Sequence, residues 1–453
     1  MSPLRTISRR KNSGLRKLLL AAPLVLLASC NLFGGGKPKV SEEELAARVT
    51  INPFQDTLTP DAAFASTTVT LPAATPATDW LQAGVTPAKL PGNLDAAPEF
   101  KVAWRANVTG SSTSKRIVAT PVVKDNRVYV IDADQRVFAF DANNGHKLWQ
   151  RDLKSSNKKY DKHAVGGGLA IAGDKLIVAS GYSFVEAMNL STGAQIWHRA
   201  LDTPMSSSPA IMGNRAFLTS TNNEVYSLDT DTGEVLWSDQ AIAETARVLS
   251  SPSPAVIPDL LAVPFSSGQL MTYVPQNGQR LWSDTLSTLG RYTPLSVIND
   301  IAGRPSISDG IVFAASQSGV LAAYEARSGA PLWKVIFGSR QGPVIQGQFL
   351  FIVGVEGKVV CFNKVDGKIV WVRELPLYNK PKEKKERIVW VGPLVVSGKL
   401  VVASSRGQLL ALSPQDGKTV GELKLGGTIY IEPIAAAGKI FVLDDKGTLI
   451  AVK

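Results

Sequence analysis

The chain has few of the residues that most often carry chemistry. Its 453 residues include two cysteines, Cys30 and Cys361, and three histidines, His146, His163 and His198. Two isolated cysteines provide no disulfide framework. The histidines show no metal-ligand spacing, and His146 and His198 flank expected hairpins, where solvated surface residues belong. Strong charge is missing too. Six of the positive residues behind the formal +11 precede Cys30, which leaves +5 for the rest of the chain and no electrostatic case for nucleic acid. The one sustained apolar run, 18–27, is too short for an ordinary membrane-spanning helix.

What the chain has is one phrase, repeated. It reads hydrophobic, any, small, hydrophobic, polar, with Gly four residues after the polar position and Trp four after Gly. Copies end at Trp149, Trp197, Trp237, Trp282, Trp333 and Trp371, and a degenerate copy has Gly421 where Trp would stand. A period of roughly 40–50 residues marks an array of supersecondary units. Alternation at period two makes the phrase a strand. Its polar residue and Gly supply turn chemistry, and the Trp falls on the next strand, large enough to fill a gap between packed sheets. Upstream of most copies lie two more apolar segments, such as Pro121-Val122-Val123 and Arg127-Val128-Tyr129-Val130, with tight turns such as Glu356-Gly357 and Arg406-Gly407 between the middle strands. Each repeat therefore reads as a four-stranded antiparallel sheet, a propeller blade. Cys361 occupies the small position of its copy, where Ala139, Ala187 and Ser227 stand in others, and is expected to pack inside a blade.

Seven copies can be completed in sequence, and the last, 431–453, lacks its fourth strand. The segment Phe100-Lys101-Val102-Ala103-Trp104-Arg105 supplies one, so the fold class expected is all-β: an eight-bladed β-propeller of four-stranded antiparallel blades, closed by pairing the strand near Trp104 with the C-terminal strands. A seven-bladed ring is the rival count, if the segment around Gly421 forms no blade of its own.

The N-terminus is basic, then apolar, with no acidic residue before Cys30, as in a secretory signal peptide. It ends in Leu27-Ala28-Ser29-Cys30, which resembles the lipobox of bacterial lipoproteins. The resemblance implies that Cys30 becomes the acylated first residue, and Asn31, in place of Asp, fits sorting to the outer membrane. Residues 1–29 are thus a lipoprotein signal, 30–98 an Ala/Thr/Pro-rich tether without its own core, and 99–453 the propeller. Trp80, inside the tether, is expected to dock on the ring or to mark a short recognition segment. The charged insertion 379–387 reads as a solvated loop.

Lipobox, tether and the pattern hydrophobic-x-Ala-hydrophobic-Asp-x-x-Thr-Gly-x-x-x-Trp together resemble the quinoprotein-like propellers. Within that group the chain is similar to the lipoprotein subunits of the outer-membrane β-barrel assembly machinery. The resemblance implies a non-catalytic scaffold with no cofactor. Its partners would be the periplasmic repeats of the central barrel-forming subunit, the machinery's other lipoproteins and unfolded outer-membrane proteins, with the membrane reached through the lipid anchor. In such relatives two inter-blade loops carry the contact. The matching stretches here are 246–250, with Arg247, Val248 and Leu249, and 298–302, with Asp300; Ala302 stands where a second acid is usual. Apolar groups with charges nearby suit a protein contact, although Val248 and Leu249 could equally pack the loop onto its blades. Two other function classes remain open. An envelope ligand- or polymer-binding propeller would use the axial funnel. A quinone-dependent dehydrogenase would carry a vicinal cysteine pair, which this sequence lacks.

Overall fold

Each copy of the phrase forms the third strand of an antiparallel sheet and the turn into the fourth. In the computed structural model, residues 58–64, 66–112, 115–155, 164–244, 248, 250–287 and 299–453 are described. The first sheet shows the plan: Val122–Lys124, Arg127–Ile131, Arg136–Asp141 and Lys147–Asp152, paired in chain order. Five further sheets of four consecutive strands follow at 167–200, 210–240, 255–285, 306–336 and 344–374. A seventh set, 390–424, belongs to a sheet of six strands. The last sheet takes three strands from 434–452 and its outermost from Val102–Asn107, which pairs with Thr448–Val452 as expected for Trp104. The insertion read as a solvated loop forms an exposed hairpin, Tyr378–Lys380 against Lys385–Arg387.

Burial explains the residue choices. In the first sheet the second and third strands are buried almost throughout, whereas the fourth alternates between exposed and half-buried positions. Across the last strand pair the small position faces the Trp: Ala139 opposite Trp149, Ala187 opposite Trp197, Cys361 opposite Trp371. A bulge follows directly in each case, and the added twist aims the indole toward the neighbouring sheet.

There the Trp meets the Gly of the next copy. The indole N–H donates to a turn carbonyl of the following sheet at 2.8–3.0 Å in seven successive junctions, from Trp104 to Ala142 through Trp371 to Pro414. A Cβ on the turn glycine would lie 2.5–2.8 Å from an indole atom in each of them. Gly is therefore required twice, for its left-handed backbone and for the ring lying on it. Where the seventh sheet has Gly421 instead of Trp, the Phe100 ring approaches, 3.8 Å from where a Cβ would sit.

The stretch expected to be a tether up to about Pro98 is packed from Leu58 onward. Val69 and Trp80 are each 1% exposed. Trp80 exchanges two 2.8 Å backbone hydrogen bonds with Val123 of the first inner strand. Thereafter the chain visits successive inner strands. Leu81 O accepts from Ile171 N, the Gln82 side chain bonds both backbone groups of Ile211, Pro87 O accepts from Val256 N, and Ala88 O accepts from Ile307 N. Leu94 then pairs in parallel with Val396, and Ala97 N donates to Gly438 O. Residues 77–97 thus form a strap that joins the inner edges of seven sheets. Inner strands present unpaired backbone groups, and the strap satisfies them mainly with its own backbone, the Gln82 side chain serving the third sheet.

Candidate partner-binding site

The two connections singled out in the sequence leave the third and fourth sheets, and the structure joins them. Asp300 begins the connection into the fifth inner strand. Its neighbours hold it: Ile301, fully buried, donates its N–H to Phe265 O at 3.3 Å, and Gln317 N donates to Asp300 O at 3.0 Å. Both partners lie in turns between second and third strands, so the backbone at Asp300 is fixed from the fourth and the fifth sheet together. The carboxylate reaches back across the junction and accepts the backbone N–H of Val248 at 2.7 Å. A charge-assisted bond of that length is among the stronger polar contacts available to a buried group.

Asp300 is 3% exposed and Val248 9%. A partner-contact role by direct touch would need the carboxylate at the surface; the structure instead makes it the clamp that positions the preceding connection. Arg247 and Leu249, which flank Val248, lie outside the described residues, as does Cys30. Ala302, where a second acid is usual in such relatives, is buried and lines a cavity of about 660 Å³. Beside the clamp is a second cavity of about 270 Å³, to which Val248, Asp300, Pro204, Thr221, Asn223 and Ser266 contribute. Sequence reasoning did not find Ile301 and Gln317, the residues that fix Asp300. The run Asn299-Asp300-Ile301-Ala302 has no strand or helix period, so nothing in it marks which side chain points inward.

The family model described as "Outer membrane protein assembly factor BamB" matches residues 96–159, 154–373 and 380–453. The chain belongs to this family. The BamB of Escherichia coli (strain K12) is 24% identical over 325 residues, 71% of this chain and 81% of the relative. In fold, the crystal structure of BamB from Moraxella catarrhalis superposes with a TM-score of 0.63 at 15% identity, over 77% of this chain and 99% of that one. A europium-containing methanol dehydrogenase superposes equally well, with a TM-score of 0.64 at 13% identity, over 81% of this chain and 89% of the dehydrogenase. The propeller fold is thus shared between BamB proteins and enzymes, and the family match, not the fold, separates the two. The match begins at residue 96, so it takes in the clamp between Val248 and Asp300 and excludes nearly all of the strap.

Proposed function

We propose that this chain is an outer-membrane protein assembly factor, a non-catalytic scaffold lipoprotein. In this reading Cys30 carries the lipid that anchors it in the outer membrane, and the ring faces the periplasm. Its eight sheets close into an eight-bladed propeller through the pairing of Val102–Asn107 with Thr448–Val452. The connection carrying Arg247, Val248 and Leu249 contacts the periplasmic repeats of the barrel-forming subunit, and Asp300 holds that connection in place.

The observation that carries the reading is the family match across 96–453. The clamp adds a physical reason for where contact occurs. A connecting segment pinned at its centre by a buried carboxylate is pre-organised, and pre-organisation lowers the ordering cost of binding. The test is a crosslinked purification of the full-length protein from outer membranes. Recovery of the barrel-forming subunit and the machinery's other lipoproteins is expected. Recovery of a different stable partner, with that subunit absent, would overturn the assignment.

A further inference from the structure

A cavity of about 660 Å³ lies on the axis. Its walls are the segments entering the inner strands of the first, fourth, fifth, sixth, seventh and eighth sheets, and the strap contributes Ala83. The strap, which bonds the inner edges of the first, fourth, fifth, seventh and eighth of these sheets, closes the cavity on one side at Ala83.

The lining is cationic. Arg116, Arg304, Arg340 and Arg387 face two carboxylates, Glu432 and Asp445. Both acids are engaged: Glu432 pairs with Arg304, and Asp445 lies 3.7 Å from Arg116. Arg387 donates to Val355 O at 2.6 Å. Arg340 is solvent-exposed; crowding by its neighbours pushes its guanidinium below its ordinary range, against the opposing fields of Asp300, whose carboxylate already accepts from Val248, and of Tyr430.

Beside the strap the imbalance is sharpest. Arg304 is 8% exposed, and its Nε, beside Gly84 of the strap, has no hydrogen-bond partner among the described residues. Lys89 of the strap is fully buried, and its ammonium donates to Gln82 Oε1 at 3.3 Å. Burial, and then Arg304, depress the Lys89 amine well below its usual range, against a smaller opposing pull from Glu432. A buried guanidinium without enough acceptors is costly unless an anion completes it. The remaining walls combine apolar groups, among them Ile117, Val353, Val389, Trp390 and Ile431, with uncharged polar ones such as Ser253, Gln317 and Gln341.

We infer that this axial cavity is a binding site for a small amphipathic anion, a carboxylate or phosphate on an apolar body, held by Arg304 and Arg340. Guanidinium forks match the planar or tetrahedral oxygens of such groups. The volume is that of an ordinary small-ligand pocket.

The test is calorimetry on the full-length lipoprotein in detergent, with benzoate, phenyl phosphate, benzyl alcohol and inorganic phosphate as probes. Benzoate or phenyl phosphate is expected to bind at least about tenfold more tightly than benzyl alcohol or inorganic phosphate, and whichever wins identifies the head group. Arg340→Gln should weaken that anion about tenfold. Because Arg304 is ion-paired, the double variant R304Q/E432Q removes the pair together. It should abolish binding with an unchanged far-UV spectrum and melting temperature, and a double variant that fails to fold leaves R340Q to decide. Absence of binding by both aromatic anions, equal binding of benzyl alcohol or inorganic phosphate, or unchanged affinity in R340Q would each overturn the site.

Discussion

Replacing Gly233 by Ala tests the junction between sheets. Gly233 has φ +71°, and a Cβ there would lie 2.5 Å from Trp197 Cε3. Trp197 cannot easily retreat, because its Nε1 donates to Thr230 O at 3.0 Å and it is 9% exposed. Gly213, in a nearby turn, is the control: φ is +59°, and a Cβ would meet nothing within 4 Å. Both substitutions force an alanine into the left-handed region, at about 1–2 kcal/mol. Both also restrict the unfolded chain alike, which offsets about 0.4–1 kcal/mol. Only G233A adds a collision with a packed ring, an overpacking cost of about 1–3 kcal/mol. Denaturant unfolding followed by tryptophan fluorescence should therefore place G233A about 1–3 kcal/mol below G213A. Equal losses in the two variants would refute the view that Trp seated on Gly is what joins one sheet to the next.

Other outcomes follow from single contacts. Removing the clamp with D300A leaves the buried Val248 N–H without its acceptor; about 1–3 kcal/mol should be lost in denaturant unfolding, and D300N, which keeps a carbonyl oxygen, should recover part of it. Burial pushes the Cys361 thiol far up from its usual range, so iodoacetamide should alkylate it only on unfolding; rapid labelling of the native protein would contradict its place behind Trp371. The Asp134 carboxyl is held below its ordinary range by Lys115 and Arg136. Its contribution to stability is therefore present above the unfolded-state pKa and lost as pH falls through the lower folded value, so D134N should flatten the acid limb of a stability–pH curve below about pH 4.

The repeat was legible because its spacing is chemistry. Gly145, Trp149 and their counterparts recur at fixed offsets, and the strand near Trp104, left without a partner in its own repeat, points to the C-terminal strands. The strap was not legible. Its order comes from backbone bonds to the inner edges of sheets, which leave no period and tolerate an Ala/Thr/Pro-rich composition that otherwise reads as tether. Phe100 shows the same limit at one residue. Gly421 announces a missing indole, but only the fold brings a ring from more than three hundred residues upstream to that place. Asp300 is legible as a residue of interest but the direction of its carboxylate is not, because inward and outward acids look alike in an aperiodic loop.

In the proposed function the repeat builds the ring and the connections make the contact. Photo-crosslinking in membranes tests this most directly, with the probe amino acid at Leu249 in one strain and at Leu148, an exposed position on the outermost strand of the first sheet, in another. The expected result is an adduct to the barrel-forming subunit from position 249, lost in a D300A background, and none from position 148. An adduct from position 148 with none from position 249 would contradict it.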